Sequence, residues 1–362
     1  MAAQRYLAAA AASAVAAIGL LWAWTFFVPL AYLDPEYPHW RAKLELLRRC
    51  DLGELAILGD FRAAANIIPA LLPYKAINLA VGGGKSIEAH AALTRMLACP
   101  NPPRRVLISF DAGHFMKPDL FWERSVRFGL VGRAELNELI DASRDLDDWS
   151  VWDAHRNDML PPAWRAALHV PRFPGVVVGN LQKAGGFLRW WNNVALLDAG
   201  IAARGHYYFG VEPGSSAVAL DARLDRFEPA PVLDRYFDRI LALLARHGIA
   251  AEFVAMPMNE STARQVRSAV RAGFAAYLAG YAARYPSFKF AGDPMPHWPD
   301  RFFGDAFSHL NPEGAALFSA CLAHRPEGLA CDQPRLQAAP PSTQNDAQYG
   351  WFNATGRAAS AK

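Results

Sequence analysis

The sequence lacks the features by which zinc-binding and nucleic-acid-binding proteins are usually recognised. It holds only four cysteines in 362 residues, with no Cys-x-x-Cys pair and no histidine at zinc-ligand spacing, so no metal site is expected. Positive charge barely exceeds negative charge, with 37 basic against 34 acidic residues, which argues against a nucleic-acid partner. The even number of cysteines permits disulfides in an oxidising compartment but leaves their pairing open.

One long uncharged run stands out near the amino terminus. The 28 residues from Tyr6 to Leu33 carry no charge, and a helix of that length can cross a hydrocarbon layer of about 30 Å. A cleavable signal peptide would be shorter and would end in small residues, whereas this run ends in residues such as Trp24, Phe27 and Tyr32. We therefore expect an uncleaved, single-pass membrane anchor over residues 1–34. The flanking charges do not settle its orientation.

The rest of the chain has the composition of a globular protein, with 52% hydrophobic and 20% charged residues. Short apolar runs that end at glycine or a polar residue predict the strands of a parallel α/β sheet, separated by segments with helical periodicity. The predicted strands are Leu55–Leu58, Ala76–Val81, Val106–Phe110, Ala250–Met256 and Phe288–Phe290. Helices are predicted on the stripe Ile67, Ile68, Leu71 and Leu72, and over Ile87–Cys99, Leu233–Leu244, Val266–Tyr281 and from Pro312 onward.

The alternation also suggests the domain boundaries. Residues 35–54 form a connector, and residues 55–325 form the α/β domain. An aromatic-rich stretch at about 115–230 interrupts the domain as a long insertion or lid. The polar, Pro- and Ala-rich residues 326–362 predict a disordered tail.

Four loops should meet at one edge of the sheet, because parallel strands carry their carboxyl ends to the same side. They are Gly59–Arg62, Gly82–Gly84, Asp111–His114 and Asp305–Asn311. In order and spacing they resemble the G-D-S-x, N-x-x-x-x-G and D-x-x-H-L-N blocks of the SGNH, or GDSL-like, hydrolases. The resemblance covers about residues 55–112 and 232–322. Within that family, the sequence most resembles proteins that O-acetylate exported polysaccharides such as alginate.

The resemblance implies a flavodoxin-like parallel sheet flanked by helices, and a serine-histidine-aspartate mechanism that needs no cofactor. His309 is then the general base and Asp305 the residue that orients it. Gly83 is an oxyanion donor, next to Gly82. Further candidate residues on the same loops are Asp60, Arg62, Asp111 and Asn311.

Three positions depart from the family pattern. Phe61 stands where the nucleophilic serine is expected, and it has no hydroxyl. Asp305 precedes His309 by four residues where the pattern has three. Asp111 stands at the position of the oxyanion asparagine, where a carboxylate would repel negative charge.

Several of these residues have a simpler interpretation. Asp60 can serve only to bond backbone amides of its turn, and His114 can be an ordinary loop histidine. Ser86, Ser109 and Ser308 are weak candidates for a substitute nucleophile, because none occupies the loop tip that the mechanism needs. Trp190 and Trp191 suit stacking on sugar rings, although an aromatic anchor for the insertion is the commoner role.

Two functions remain open from the sequence. The first is a membrane-anchored, extracytoplasmic protein of polysaccharide O-acetylation or ester hydrolysis. Its partners would be a polysaccharide or acyl ester and a membrane-bound acyl-transfer protein. The second is a catalytically inactive relative that binds glycan or supports assembly, which Phe61 favours. A generic nucleotide binder is a weaker third, because the Gly82–Ser86 run lacks the first glycine of a phosphate loop.

Overall fold

The computed structural model describes residues 2–152, 189–325 and 331–332. It has an apolar N-terminal helix followed by a mixed α/β domain. The helices are α1 (Ala2–Phe27), α2 (Glu36–Arg48), α3 (Phe61–Asn66), α4 (Ser86–Leu97), α5 (Gly113–Met116), α6 (Arg133–Leu146), α7 (Arg189–Ala202), α8 (Pro231–Arg246), α9 (Glu260–Ala263), α10 (Ser268–Arg284) and α11 (Pro312–His324). The strands are β1 (Leu55–Gly59), β2 (Ala76–Asn78), β3 (Arg105–Ser109), β4 (Ala250–Phe253), β5 (Met258–Asn259), β6 (Phe288–Phe290) and β7 (His297–Trp298).

Five of the strands form one parallel sheet in the order β2-β1-β3-β4-β6. Alternate side chains of β1 point to opposite faces: Ala56 and Leu58 join one buried cluster, and Leu55 and Ile57 join another. Helices α4, α8 and α10 cover the first face, and α3 and α11 cover the second. The expected parallel sheet flanked by helices is therefore confirmed. Strands β5 and β7 form a separate two-stranded pair, which the sequence did not predict.

The N-terminal helix is long and apolar enough, over Ala3–Thr25, to cross a membrane. Its side chains over that length are almost all exposed. The chain then passes through a short turn, Pro29–Ala31, and enters α2.

Helix α2 is more than a connector, because most of its side chains are buried against the domain. Tyr37, Trp40 and Leu47 are among them. The charged Lys43 is also buried, and its Nζ donates to the carbonyl of Ala80 just beyond β2. The segment before β1 thus belongs to the packed domain.

The predicted helix over Ile67–Leu72 is wrong. Helix α3 lies earlier, since Asp60 caps its first amides, and it ends before Ile67, which is extended. Pro69 then opens a short 3-10 turn instead of a helix. Ile67 and Ile68 are buried nevertheless. The apolar pattern therefore indicates a buried segment correctly but does not indicate its secondary structure.

The described parts of the predicted insertion pack on the domain. The segments around Trp122, Leu139 and Trp152 form a buried cluster with Ile87 of α4 and Tyr236 of α8. The rest of the insertion, 153–188, lies outside the described residues. So does the predicted disordered tail, apart from 331–332.

Both cysteine pairs that the sequence left open are joined. Cys50–Cys99 links the ends of α2 and α4, and Cys321–Cys331 links α11 to the short segment after it.

Candidate functional site

The loop after β1 begins with a glycine that no other residue can replace. A Cβ on Gly59 would lie 2.1 Å from the carbonyl oxygen of Ser109 on β3. The next residue, Asp60, is fully buried and caps α3: its Oδ1 accepts from the amides of Arg62 and Ala63, at 2.9 and 3.3 Å. Its Oδ2 accepts from the amide of Asp111 at 2.8 Å, which ties the first loop to the third. Asp60 therefore holds two loops together through backbone amides.

His114 lies between two carboxylates. Its Nδ1 is 2.8 Å from Oδ1 of Asp111 and 3.4 Å from Oδ2 of Asp60. Burial opposes a charge on the imidazole, but attraction to both carboxylates outweighs burial, so the pKa of His114 is raised. Burial likewise opposes ionisation of Asp111, but the positive charges of His114 and Arg62 outweigh the effect of burial. The pKa of Asp111 is therefore lowered. Asp111 is thus ionised and charge-compensated.

Asp60, Asp111 and His114 are also the residues best placed to hold a metal among those the structure describes, with one ligand atom each within 4.8 Å of the others. Their oxygens already accept backbone amides, and Arg62 Nη2 lies 3.9 Å from Asp111 Oδ2. These contacts satisfy the carboxylates within the protein itself.

Arg62 connects three loops from a buried position. Its guanidinium donates to the carboxylate of Asp221, and its Nε donates to the carbonyl of Phe307 at 3.3 Å. Burial raises the pKa of Asp221, while the guanidinium opposes that rise. Arg62 thus joins α3 to the segment before α8 and to the last loop.

The last loop brings the predicted dyad together. The Asp305 carboxylate bonds both the ring Nδ1 and the backbone amide of His309. Burial would raise the pKa of Asp305, but its bond with His309 outweighs that, and the pKa is lowered. The four-residue spacing is accommodated by Ser308, which adopts a left-handed conformation with φ of 62°. The extra residue therefore does not separate the carboxylate from the ring.

Phe61 packs against both histidines. Its ring meets His309 edge-on with centroids 4.8 Å apart, and His114 edge-on at 5.0 Å. His309 also stacks on Phe209, with centroids 4.3 Å apart and ring planes 13° apart. The Nε2 of His309 is buried and has no hydrogen-bond partner within the described chain. The position expected for a nucleophile is thus filled by an aromatic ring beside the dyad.

A cavity of about 360 Å³ opens next to Phe61. Charged side chains of both signs line it, together with the exposed Phe307 and Leu220. The charged residues in its lining are Arg62, Lys85, Asp111, His114, Lys117, Asp119, Asp221 and Arg223. Lys85 is buried, which lowers the pKa of its amine, and its Nζ donates to the carbonyls of Gly83 and Asp119. None of the described lining residues carries a hydroxyl or a thiol.

The second loop lies at the same edge of the sheet. Gly83 has a φ of 76°, and Leu120 lies beside it. Gly82 lies so close to Glu36 that a Cβ there would clash with the Glu36 carboxylate at 2.0 Å. This loop therefore contacts α2 on one side and the cavity, through Lys85, on the other.

Asn311, a predicted site residue, and Asn78, at the end of β2, both have structural roles here. The Asn311 side chain caps α11 by accepting from the amide of Gly314, and it donates to the carbonyl of Arg301. Asn78 donates to the carbonyls of Ala63 and Ile67, which fastens β2 to α3.

The three serines considered as substitute nucleophiles all lie away from the cavity lining. Ser86 Oγ donates to the carbonyl of Leu233, and Ser308 Oγ donates to Asn259 at 3.5 Å. Ser109 is buried at the end of β3. None of the three is among the described residues that line the cavity.

Sequence reasoning missed Asp221, Phe209 and the role of Lys85. In the sequence, Lys85 stands out only as part of the Gly82–Ser86 run. Asp221 and Phe209 lie in an irregular segment with no pattern to single them out.

In comparisons with profiles of known protein families, with curated proteins and with solved structures, no match to this chain was found.

Proposed function

We propose that this protein is a membrane-anchored, SGNH-like domain that binds an exported polysaccharide or its acylated form without covalent serine catalysis. The observation that carries the proposal is the Phe61 ring, which lies between His114 and His309 at the position where the mechanism requires a hydroxyl. A phenyl ring can neither attack an ester nor give up a proton.

The fold supports the SGNH-like and flavodoxin-like assignment. Its strand order places the second strand at one edge, followed by the first, third, fourth and fifth strands of the sheet, as in flavodoxin-like proteins. Loops after β1 and β3 and the loop before α11 meet at the carboxyl edge, where ligands bind in open α/β sheets. The bond between Asp305 and His309 adds a feature of the family site.

The cavity suits binding better than ester cleavage. Its volume of about 360 Å³ lies in the range of small-ligand sites. The exposed donors Lys117 and Arg223 and the exposed acceptor Asp119 line it together, and a sugar with many hydroxyls can use both. The ionised Asp111 stands where an oxyanion would form, so it would disfavour a tetrahedral intermediate there.

Two further features support an anchored, extracytoplasmic location. Helix α1 is long and apolar enough to cross a membrane. Both disulfides favour an oxidising compartment such as the periplasm, since they rarely persist in the cytosol.

A second candidate function is acyl transfer without a covalent intermediate, and the retained Asp305–His309 pair favours it. His309 would remove the proton from water or a sugar hydroxyl, whose oxygen would attack the acyl carbonyl. The proton would then pass to the departing oxygen. A membrane-bound acyl-transfer partner would be the source of the acyl group.

The experiment compares the chain as it stands with Phe61→Ser and His309→Ala. Ester hydrolysis is measured with an aryl acetate, and acetyl transfer with oligosaccharides of an exported polysaccharide. Binding of acetylated and unacetylated oligosaccharides is measured by calorimetry. Arg223→Gln alters the cavity lining, and Arg226→Gln is its matched control, because Arg226 pairs with Glu228 and does not line the cavity.

We expect saccharide binding by the unmodified chain, weaker binding by Arg223→Gln only, and no ester turnover. Turnover by the unmodified chain that disappears in His309→Ala would favour the second candidate. Absence of both binding and turnover would overturn the proposal.

A further inference from the structure

The segment that follows α1 packs at the carboxyl edge of the sheet. Tyr32 and Leu33 share a buried cluster with Val81, which lies just after β2. Asn193 of α7 donates to the carbonyls of Leu30 and Leu33, at 2.8 and 3.0 Å. The edge that carries the candidate site is therefore the edge beside the end of the apolar helix.

Two helices hold the domain in this position. Helix α2 starts beside Gly82 at the carboxyl edge and ends near Asp51, which precedes β1. Helix α7 runs beside it, and Gly200 is so close to α2 that a Cβ there would lie 3.0 Å from the Cβ of Ala42. Arg204, just after α7, bonds the Asp51 carboxylate at 3.0 Å. The packing of α2 against α7 therefore fixes the end of α1 to the domain.

Large exposed apolar side chains collect at the same edge. Outside α1, those in the described part of the chain are Tyr74, Leu120, Trp191, Val218, Leu220 and Phe307. All of these except Tyr74 form what we call the apolar rim. Tyr74 lies before β2, at the opposite edge, where its hydroxyl bonds Arg105 at the start of β3.

The location of each rim residue follows from a contact that it makes or from the location of a residue near it in the sequence. Leu220 and Phe307 line the cavity, and Val218 precedes Leu220 by two residues. Leu120 lies against Gly83. Trp191 is 78% exposed and lies in the first turn of α7, at the end of the helix where Asn193 bonds the turn after α1; its side chain points away from the face that carries Asn193. The rim therefore extends from the end of the membrane helix to the mouth of the cavity.

We propose that the apolar rim rests on the lipid surface that α1 enters, so that the cavity opens at the membrane interface. Tryptophan and other large apolar residues are favoured at that depth. Lys117 and Arg223 line the same cavity together with Asp119, all three exposed, and the two cations can pair with lipid phosphates. A ligand would then reach the cavity along the membrane surface. The inference rests on the proposed membrane anchor.

The test uses the full chain in nanodiscs that contain phosphatidylglycerol, with p-benzoylphenylalanine introduced at one site at a time. The rim positions are Leu120 and Leu220, which are 42% and 58% exposed, and the matched control is Tyr74, which is 39% exposed. After irradiation, mass spectrometry measures the fraction of chain that carries a lipid adduct. Thermal unfolding checks that each variant is folded.

We expect lipid adducts at both rim positions to exceed those at the control by about fivefold or more. Equal adduct yields at all three positions would overturn the proposal. Adducts of a rim position with a second copy of the chain, in place of lipid, would overturn it too. Saccharide binding is not part of this readout, so a failure here is distinct from a failure of the proposed ligand.

Discussion

The Phe61 ring meets the His309 imidazole edge-on, with ring centroids 4.8 Å apart. An aromatic residue therefore packs against this histidine at the position where the sequence resemblance predicts a serine. A second phenyl ring also contacts His309, because Phe209 stacks on it with ring centroids 4.3 Å apart. The site is organised by packing and by the bond to Asp305, with no need for a bond to a nucleophile.

Phe61→Ala should destabilise the domain and loosen His309. Because Phe61 is only partly buried, we expect a loss of about 1–2 kcal/mol in the free energy of unfolding, below the value for a fully buried phenylalanine. Urea denaturation of the full chain in one detergent measures it. Phe307→Ala is the control, since Phe307 is 54% exposed, and a loss as large as that for Phe61→Ala would contradict the prediction.

Much of the sheet could be predicted from the sequence, because strands buried on both faces appear as continuous apolar runs. The runs at Leu55 and Val106 are of this kind, and both end at the site. Helix α3 could not be predicted in the same way, since its buried residues include Ala63, Ala64 and Ala65, which give little periodic signal. Strands β5 and β7 have two residues each, too few for any period to show.

The site was only partly predictable for a related reason. Loops at strand ends could be expected to converge, and Asp60, Asp111 and Arg62 do so. The partner of Arg62 could not be found, because Asp221 lies 159 residues away in a segment without pattern. Contacts between distant irregular segments depend on tertiary packing, which a single sequence does not display.

Asp221→Asn should be strongly destabilising. It leaves the buried Arg62 guanidinium without its nearest charge, and breaking a buried pair costs about 3–5 kcal/mol. Asp141→Asn is the control, because the Arg144–Asp141 pair is largely exposed and should contribute less than about 1 kcal/mol. Urea denaturation compares the two variants, and similar losses would show that the buried pair has no special weight.

Removal of the two disulfides should have unequal effects. The pairs span 49 and 10 residues, so chain entropy predicts losses of about 4 and about 3 kcal/mol. Double Cys→Ser variants of each pair, compared by urea denaturation, measure the difference. Dithiothreitol should destabilise each variant further, because it reduces the disulfide that the variant still holds. A larger loss for the Cys321–Cys331 pair would contradict the entropic explanation.

Acid should destabilise the domain through buried neutral histidines near α2. Burial lowers the pKa of His206 to about 4 and that of His39 to about 3. In the unfolded chain both histidines have a pKa of about 6.5, so below that pH the unfolded state binds more protons than the folded state does. Stability should therefore fall as the pH drops from 6.5 towards 4, by about 3 kcal/mol for each histidine.

His206→Gln isolates this effect, since glutamine can still donate to the carbonyl of Ala65 that His206 Nε2 contacts at 2.9 Å. The variant does not titrate, so its stability relative to the unmodified chain should improve steadily as the pH is lowered from 7 to 4. Urea midpoints of this variant and of the unmodified chain, measured across this pH range, test the prediction. If the difference between the two stayed constant, His206 would have to be protonated in the folded domain, and the neutral packing of this cluster would be wrong.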